Sequence, residues 1–229
     1  RLRRELQGLE NDPTVRVVVL AAEGKSFSAG ADLNWMKRMA AYDRAENLED
    51  AKNLGKLMAV LFRMRQPTVA VVQGPAYGGG VGLVACCDIA IASENAHFCL
   101  SEVRLGLIPA VIGPYVIHAI GERQATRYML TAEKFSAERA RELGLVHEVV
   151  AADQLADKRG EIVDALLRGG PKALSEVKNL VSYITNSATQ DEKVVRDTAG
   201  HIARVRATDE GQEGVAAFLE KRKPKWVKD

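Results

Sequence analysis

Val15 to Ala22 (V-R-V-V-V-L-A-A) is β-branched and nearly continuous, the pattern of a strand covered on both faces. Thr68 to Val72 (T-V-A-V-V) and Asp88 to Ala92 (D-I-A-I-A) repeat it, and His97 to Leu100 reads as a short fourth strand. Ala45 to Met64 carries Leu54, Leu57, Met58 and Leu61 at helical spacing and stops near Pro67. From Gly80 the run V-G-L-V-A-C-C reads as a buried helix. Strand, glycine-containing loop and helix therefore occur twice. That order predicts a layered α/β core with right-handed crossovers.

After Pro109 the pattern turns mostly helical, over Gly113 to Ala119, Gly121 to Leu130 and Ser136 to Leu143. Leu143 to Val150 (L-G-L-V-H-E-V-V) reads as an edge strand, and amphipathic helices follow at Lys172 to Tyr183, Asp191 to Arg206 and Asp209 to Lys221. G-G-P at Gly169 to Pro171 is the expected junction. We therefore expect a core over residues 1–168 and a helical region over 169–229 that packs on the core or on another subunit. The opening residues, R-L-R-R-E-L-Q-G-L-E, have the spacing of a helix interior without a cap, so a preceding segment is expected.

Composition narrows the classes. The chain has 229 residues, enough for one sizeable core and an appendage. Aromatics are 5% against 47% hydrophobic residues, so the core must be aliphatic. A net charge of +2 is too small to imply nucleic acid, and no apolar run is long enough to span a bilayer or to resemble a secretory signal. Three cysteines, two of them adjacent in an apolar run, read as reduced core thiols of a cytoplasmic protein. No His/Cys/Asp/Glu group has metal-ligand spacing, so no metal is expected, and no G-x-S-x-G elbow occurs.

The chemistry concentrates in two stretches, F-S-A-G-A-D-L (Phe27 to Leu33) and Y-G-G-G-V-G-L (Tyr77 to Leu83). A loop leaving a buried strand presents free backbone N–H groups, and small residues admit a ligand to them. A helix starting just after the loop adds its positive end. Two such loops side by side can aim two N–H groups at one oxygen. Neither matches a phosphate-binding glycine motif. A third stretch, S-E-V-R-L-G-L-I-P-A (Ser101 to Ala110), supplies a candidate acid/base, Glu102.

In this order, with C-D-I-A-I-A, L-T-A-E-K-F-S-A-E-R-A and the closing F-L-E-K-R-K, the chain resembles the crotonase superfamily of enoyl-CoA hydratases and isomerases over almost its whole length. A-D-L-N-W-M-K-R-M, G-G-G-V-G-L-V-A-C-C-D and L-I-P-A-V-I-G-P-Y-V are most similar to bacterial hydratases of 3-methylglutaconyl-CoA and related carboxylated enoyl-CoAs. The resemblance implies an α/β spiral of ββα units with a C-terminal helical trimerisation region, in a homotrimer or a dimer of trimers. The ligand implied is an acyl-CoA thioester, with no cofactor apart from the coenzyme A of the substrate. Its carbonyl oxygen would accept from the N–H groups of Ala31 and Gly79, with Glu102 as acid/base. Ala29, Asp32, Leu33, Gly78, Trp35 and Pro109 would lie along the substrate channel. Phe218 and Lys221 match tail positions that approach the coenzyme of a neighbouring subunit.

One position departs from the family pattern. Two-carboxylate hydratases read G-G-G-x-E-L, and here Gly82 stands where that glutamate would be. One carboxylate must then both activate water and protonate carbon, or another side chain must help. The expected activity is hydration of an enoyl-CoA, 3-methylglutaconyl-CoA or a similar branched substrate. The alternatives are a 3-enoyl-CoA to 2-enoyl-CoA isomerase with Glu102 as its single base, and a non-catalytic module binding CoA or RNA through its basic tail. For a distal substrate carboxylate the candidate partners are Arg104, Lys37, Arg38 and His118, and Tyr115 is a candidate donor.

Overall fold

The structure is a computed structural model that describes residues 1–39, 41–185 and 192–227. The chain begins with α1 (Leu2–Asn11), β1 (Val18–Ala21), α2 (Leu33–Met39) and α3 (Arg44–Arg63). The centre comprises β2 (Thr68–Val72), β3 (Ala76–Tyr77), α4 (Gly79–Cys86), β4 (Ile89–Ser93) and β5 (His97–Cys99), followed by a 3-10 turn at Glu102–Leu105. Then come α5 (Gly113–Ile120), α6 (Glu122–Thr131), β6 (Phe135–Ser136), α7 (Ala137–Leu143) and β7 (Glu148–Val150). The chain closes with α8 (Leu155–Arg168), α9 (Pro171–Thr185), α10 (Glu192–Arg206) and α11 (Asp209–Leu219).

The main sheet is parallel, in the order β1-β2-β4-β7. Every residue of β2 is buried. Its alternate residues serve different layers, because successive side chains leave a strand on opposite faces. Val69 and Val71 join Ile91 and Leu155 in a cluster under α8. Ala70 and Val72 face the larger core, with Val81 and Val84 of α4, Met58 and Leu61 of α3, and Val116 of α5. Both faces are covered, which is why the strand reads as an unbroken apolar run. α3 is fixed at its start by a capping box between Asp43 and Glu46.

The strands and most of the helices lie where the pattern placed them, with ends shifted by a few residues. β7 occupies only the end of the expected edge segment, because α7 continues to Leu143 and Gly144 ends it in a left-handed turn. The Asp191 end of one expected helix lies outside the described residues. Three elements were not anticipated: α2, and the two-residue strands β3 and β6. With β5, the latter two form a second sheet in the order β3-β5-β6. Two residues carry no readable period, so such strands are set by tertiary pairing.

The helices α9, α10 and α11 pack on one another. Specific polar contacts tie this region to the sheet. The Arg16 guanidinium donates to the carbonyls of Gly169 (2.7 Å) and Trp226 (3.1 Å). Lys178 Nζ reaches Asp88 Oδ2 at 2.7 Å. The same carboxylate oxygen accepts from the Thr68 N–H (2.8 Å) and the Thr68 hydroxyl (2.9 Å) at the foot of β2, where Thr68 is fully buried. Removing this carboxylate strands a buried donor. Asp88→Ala is expected to cost about 1–3 kcal/mol. That corresponds to roughly 2–10 °C in a thermal unfolding scan, with a smaller loss for Asp88→Asn.

Candidate active site

The two glycine-containing loops lie against each other. Ser28 pairs with Ala76 as a parallel bridge. The Ser28 N–H donates to the Pro75 carbonyl (3.0 Å), and the Tyr77 N–H donates to the Ser28 carbonyl (3.0 Å). A Cβ on Gly80 would sit 2.4 Å from the Ser28 Cβ, so only glycine lets α4 start this close to the first loop. Gly30 turns at φ +106° beside the Tyr77 side chain. Gly78 caps α4 at φ +50°, a conformation that L side chains rarely adopt. Among the described residues, no backbone carbonyl accepts from the N–H of Ala31 or of Gly79. The Gly79 N–H is one of the unpaired donors at the first turn of α4, where the helix dipole is positive.

Glu102 opens the 3-10 turn after β5. Its carboxylate faces the Gly78 turn: a Cβ added at Gly78 would lie 3.0 Å from Glu102 Oε1. Glu102 Oε2 is buried and has no hydrogen-bond partner. Burial pushes this carboxyl above the usual range, and no cation offsets that effect. The turn is held rigidly. The Leu107 N–H donates to the Glu102 carbonyl (3.1 Å), and Arg104 donates to the Ala132 carbonyl at 2.7 Å. A raised carboxyl beside the turn that carries the unpaired Gly79 amide is a combination an acid/base site needs.

The structure gives a physical account of Gly82. A Cβ there would lie 2.3 Å from Ile112 Cγ2, 2.7 Å from Ile112 Cβ and 3.4 Å from Met58 Cε. Ile112 and Met58 are 2% and 1% exposed. The volume a glutamate would need is already filled by packed core. Sequence reasoning missed both neighbours. A glycine inside a buried helix signals that something approaches closely, but the sequence does not say what.

The remaining candidates divide. Ala29, Ala31, Asp32 and Leu33 are exposed on the first loop, Leu33 at 73%. Asp32 caps α2, its carboxylate accepting from the Trp35 N–H at 2.7 Å. The Trp35 indole N–H donates to Asp50 Oδ1 (3.1 Å), tying α2 to α3. Pro109 is half-buried, and its carbonyl accepts from the Gly113 N–H at the start of α5. Phe218 is 82% exposed at the end of α11, and Lys221 follows in a left-handed turn. Lys37 and Arg38 are exposed on α2.

Three of the candidate polar partners have structural contacts of their own. Tyr115 and His118 both pack on Phe62 near the end of α3, with ring centroids 5.1 and 5.8 Å away. Arg104 is committed to holding the turn through Ala132. The thiols are inert: burial raises Cys86, and Cys87 is pushed up to about 12. Cavities of about 300 and 450 Å³ open in the helical region around Trp226, but none of the candidate residues lines them. Convergence of chemical groups, not cavity size, marks the site.

With this geometry in place, comparison with known proteins is direct. The profile of the enoyl-CoA hydratase/isomerase family matches residues 2–229. A crystal structure of an enoyl-CoA hydratase from Shewanella pealeana superposes with a TM-score of 0.95 at 47% identity, covering 98% of this chain and 84% of that one. The 2,3-dehydroadipyl-CoA hydratase of Escherichia coli is 32% identical over 98% of this chain and 86% of its own. The crotonyl-CoA hydratase of Syntrophomonas wolfei is 31% identical over 99% and 86%. The fold is that of the crotonases, and the chain belongs to the enoyl-CoA hydratase/isomerase family.

Because the Glu102 carboxyl is raised, the folded protein holds a proton there more tightly than the unfolded chain does. That stability is complete below the unfolded value of about 4.3 and is lost as pH rises through the folded value. Glu102→Gln removes the titration. At pH 7 the variant is expected to melt above the parent, with the gap narrowing toward pH 4. Thermal scans across that range check it.

Proposed function

We propose that the chain is an enoyl-CoA hydratase, adding water across the 2,3-double bond of an acyl-CoA thioester. The observation that carries this reading is Glu102, whose desolvated carboxylate lies beside the Gly78–Gly79 turn with one oxygen unpartnered. In this reading the N–H groups of Ala31 and Gly79 hold the thioester oxygen. Glu102 takes a proton from water as the water oxygen bonds to C3. The displaced π electrons move toward the thioester oxygen and form an enolate. Glu102 then returns the proton to C2 as the carbonyl re-forms. Two preorganised amides at the developing charge are worth roughly 3–4 kcal/mol each. Ala29, Leu33 and Pro109 border the path of the substrate, and Asp32 and Trp35 hold that border in place through α2.

Phe218 and Lys221 would serve the coenzyme of a neighbouring subunit in a homotrimer. Exposed apolar side chains on α9–α11, including Val181, Val195, Ile202 and Val215, support assembly through this region. A second reading, an isomerase that shuttles one proton through Glu102, draws on the same single carboxylate and on the buried neighbours of Gly82. For the substrate, the relatives named above act on a dicarboxylic and a straight-chain acyl group. We favour 3-methylglutaconyl-CoA or a related carboxylated enoyl-CoA, whose own carboxylate supplies the polar group that Gly82 lacks.

Purified protein should therefore hydrate 3-methylglutaconyl-CoA faster than crotonyl-CoA, with products read by mass and chirality. Glu102→Gln should lower kcat by about 10²–10⁴. Conversion of a 3-enoyl-CoA to its conjugated isomer without hydration of any substrate would turn the assignment to isomerase. Turnover unaffected by Glu102→Gln would remove Glu102 from the chemistry altogether.

A further inference from the structure

Gly82 lies one helical turn beyond Gly78, and the Gly78 turn touches the Glu102 carboxylate. Side chains on a helix lean toward its N-terminal end. A side chain at 82 would therefore lean toward the end of α4 at which Gly78 meets the carboxylate. That space holds the Ile112 Cγ2 and Cβ, with Met58 behind them. Ile112 is the N-cap residue of α5, and its carbonyl accepts from the N–H groups of Tyr115 and Val116 at 3.1 Å. Its β-branched side chain is stiff at χ1 and almost fully buried. The obstacle includes a Cβ, which cannot swing aside as the end of a flexible side chain can.

We infer that Ile112 is a specificity-determining residue: it occupies the space from which a side chain at position 82 would reach the Glu102 carboxylate, and so restricts this site to one protein acid. The inference rests on the hydratase reading for its chemistry but not for its packing. Gly82 and Ile112 form a linked pair, each size setting the other. With an apolar wall in place of a second acid, the water is handled by Glu102 alone, and one proton passes from water to Glu102 to C2. Opening the pair should admit a second acid and change the ionisations that govern turnover.

Two measurements test this. The first is thermal stability of Gly82→Ala, Ile112→Ala and the double variant. Gly82→Ala should lower Tm by about 5 °C or more through overpacking. Ile112→Ala should lower it by leaving a cavity, and the double variant should recover part of the Gly82→Ala loss. A double variant whose loss equals or exceeds the sum of the singles would overturn the linkage.

The second is the pH profile of kcat/KM on the best substrate. The parent should show a single carboxylate ionisation. Gly82→Glu with Ile112→Gly should show two, because neighbouring carboxyls split each other's titration, together with a rise in relative activity on crotonyl-CoA. A folded double variant that keeps the single ionisation, or a parent that already shows two, would overturn the proposal. Failure of that double variant to fold would count against Ile112 as the obstacle. If no enoyl-CoA is turned over by the parent, the hydratase reading fails, while the stability comparison still decides the linkage.

Discussion

A carboxylate withheld from water without a counter-charge is the constraint around which this structure is arranged. Left to itself, Glu102 would rotate into solvent, as a loop glutamate normally does. Several features oppose that. The 3-10 turn fixes its backbone through the Leu107 N–H, and Arg104 pins the turn to Ala132 at the end of α6. Gly78 offers a surface without a side chain for Oε1 to rest against. The resulting strain is electrostatic. A desolvated acid with one unpartnered oxygen holds a proton more tightly, which is what a group needs if it is to accept one and give it back.

The second requirement is that unpaired donors lie beside that acid, and the sheet provides it. Parallel pairing of β1 with β2 brings their following loops out on the same side. The Ser28–Ala76 bridge then joins the two loops. Alanines at 70, 90 and 92 and glycines at 80 and 82 keep the interface between α4 and its surroundings thin. The first turn of α4 thereby delivers the Gly79 N–H next to the first loop. Bulk at any of these positions would push the helix away from its partner loop before it touched a ligand.

The elements built by long repeats were legible in the sequence. T-V-A-V-V and D-I-A-I-A are strands covered on both faces, and the helix over residues 44–63 follows its leucines and methionines. The elements that shape the site were less so. α2 is too short for a period and depends on the Asp32 cap and the Trp35–Asp50 bond. β3 and β6 exist only as partners of β5. Glu102 was legible through its position just after a strand and ahead of a glycine and a proline in a family pattern. Its orphaned oxygen was not, because burial is a property of the whole fold. For His118 and Tyr115, polar residues on an apolar helix, the sequence left a ligand role and a structural one open, and the structure shows both packed on Phe62.

Hydration and double-bond migration in this family pass through related enolates and differ in what stands next to the carbon that gains or loses a substituent. A second protein acid at position 82 would hold water there by direct hydrogen bonds. With Ile112 packed against Gly82, the proposed reading leaves water to be held by Glu102 and the substrate itself. In the proposed reading, reaction choice in this chain depends less on the base, which serves either chemistry, than on the polarity of one packed contact between α4 and the start of α5. A substrate that carries its own carboxylate brings a water-binding group into a wall that lacks one. An alkyl substrate leaves that wall dry, and the same base then has only carbon-bound protons to move.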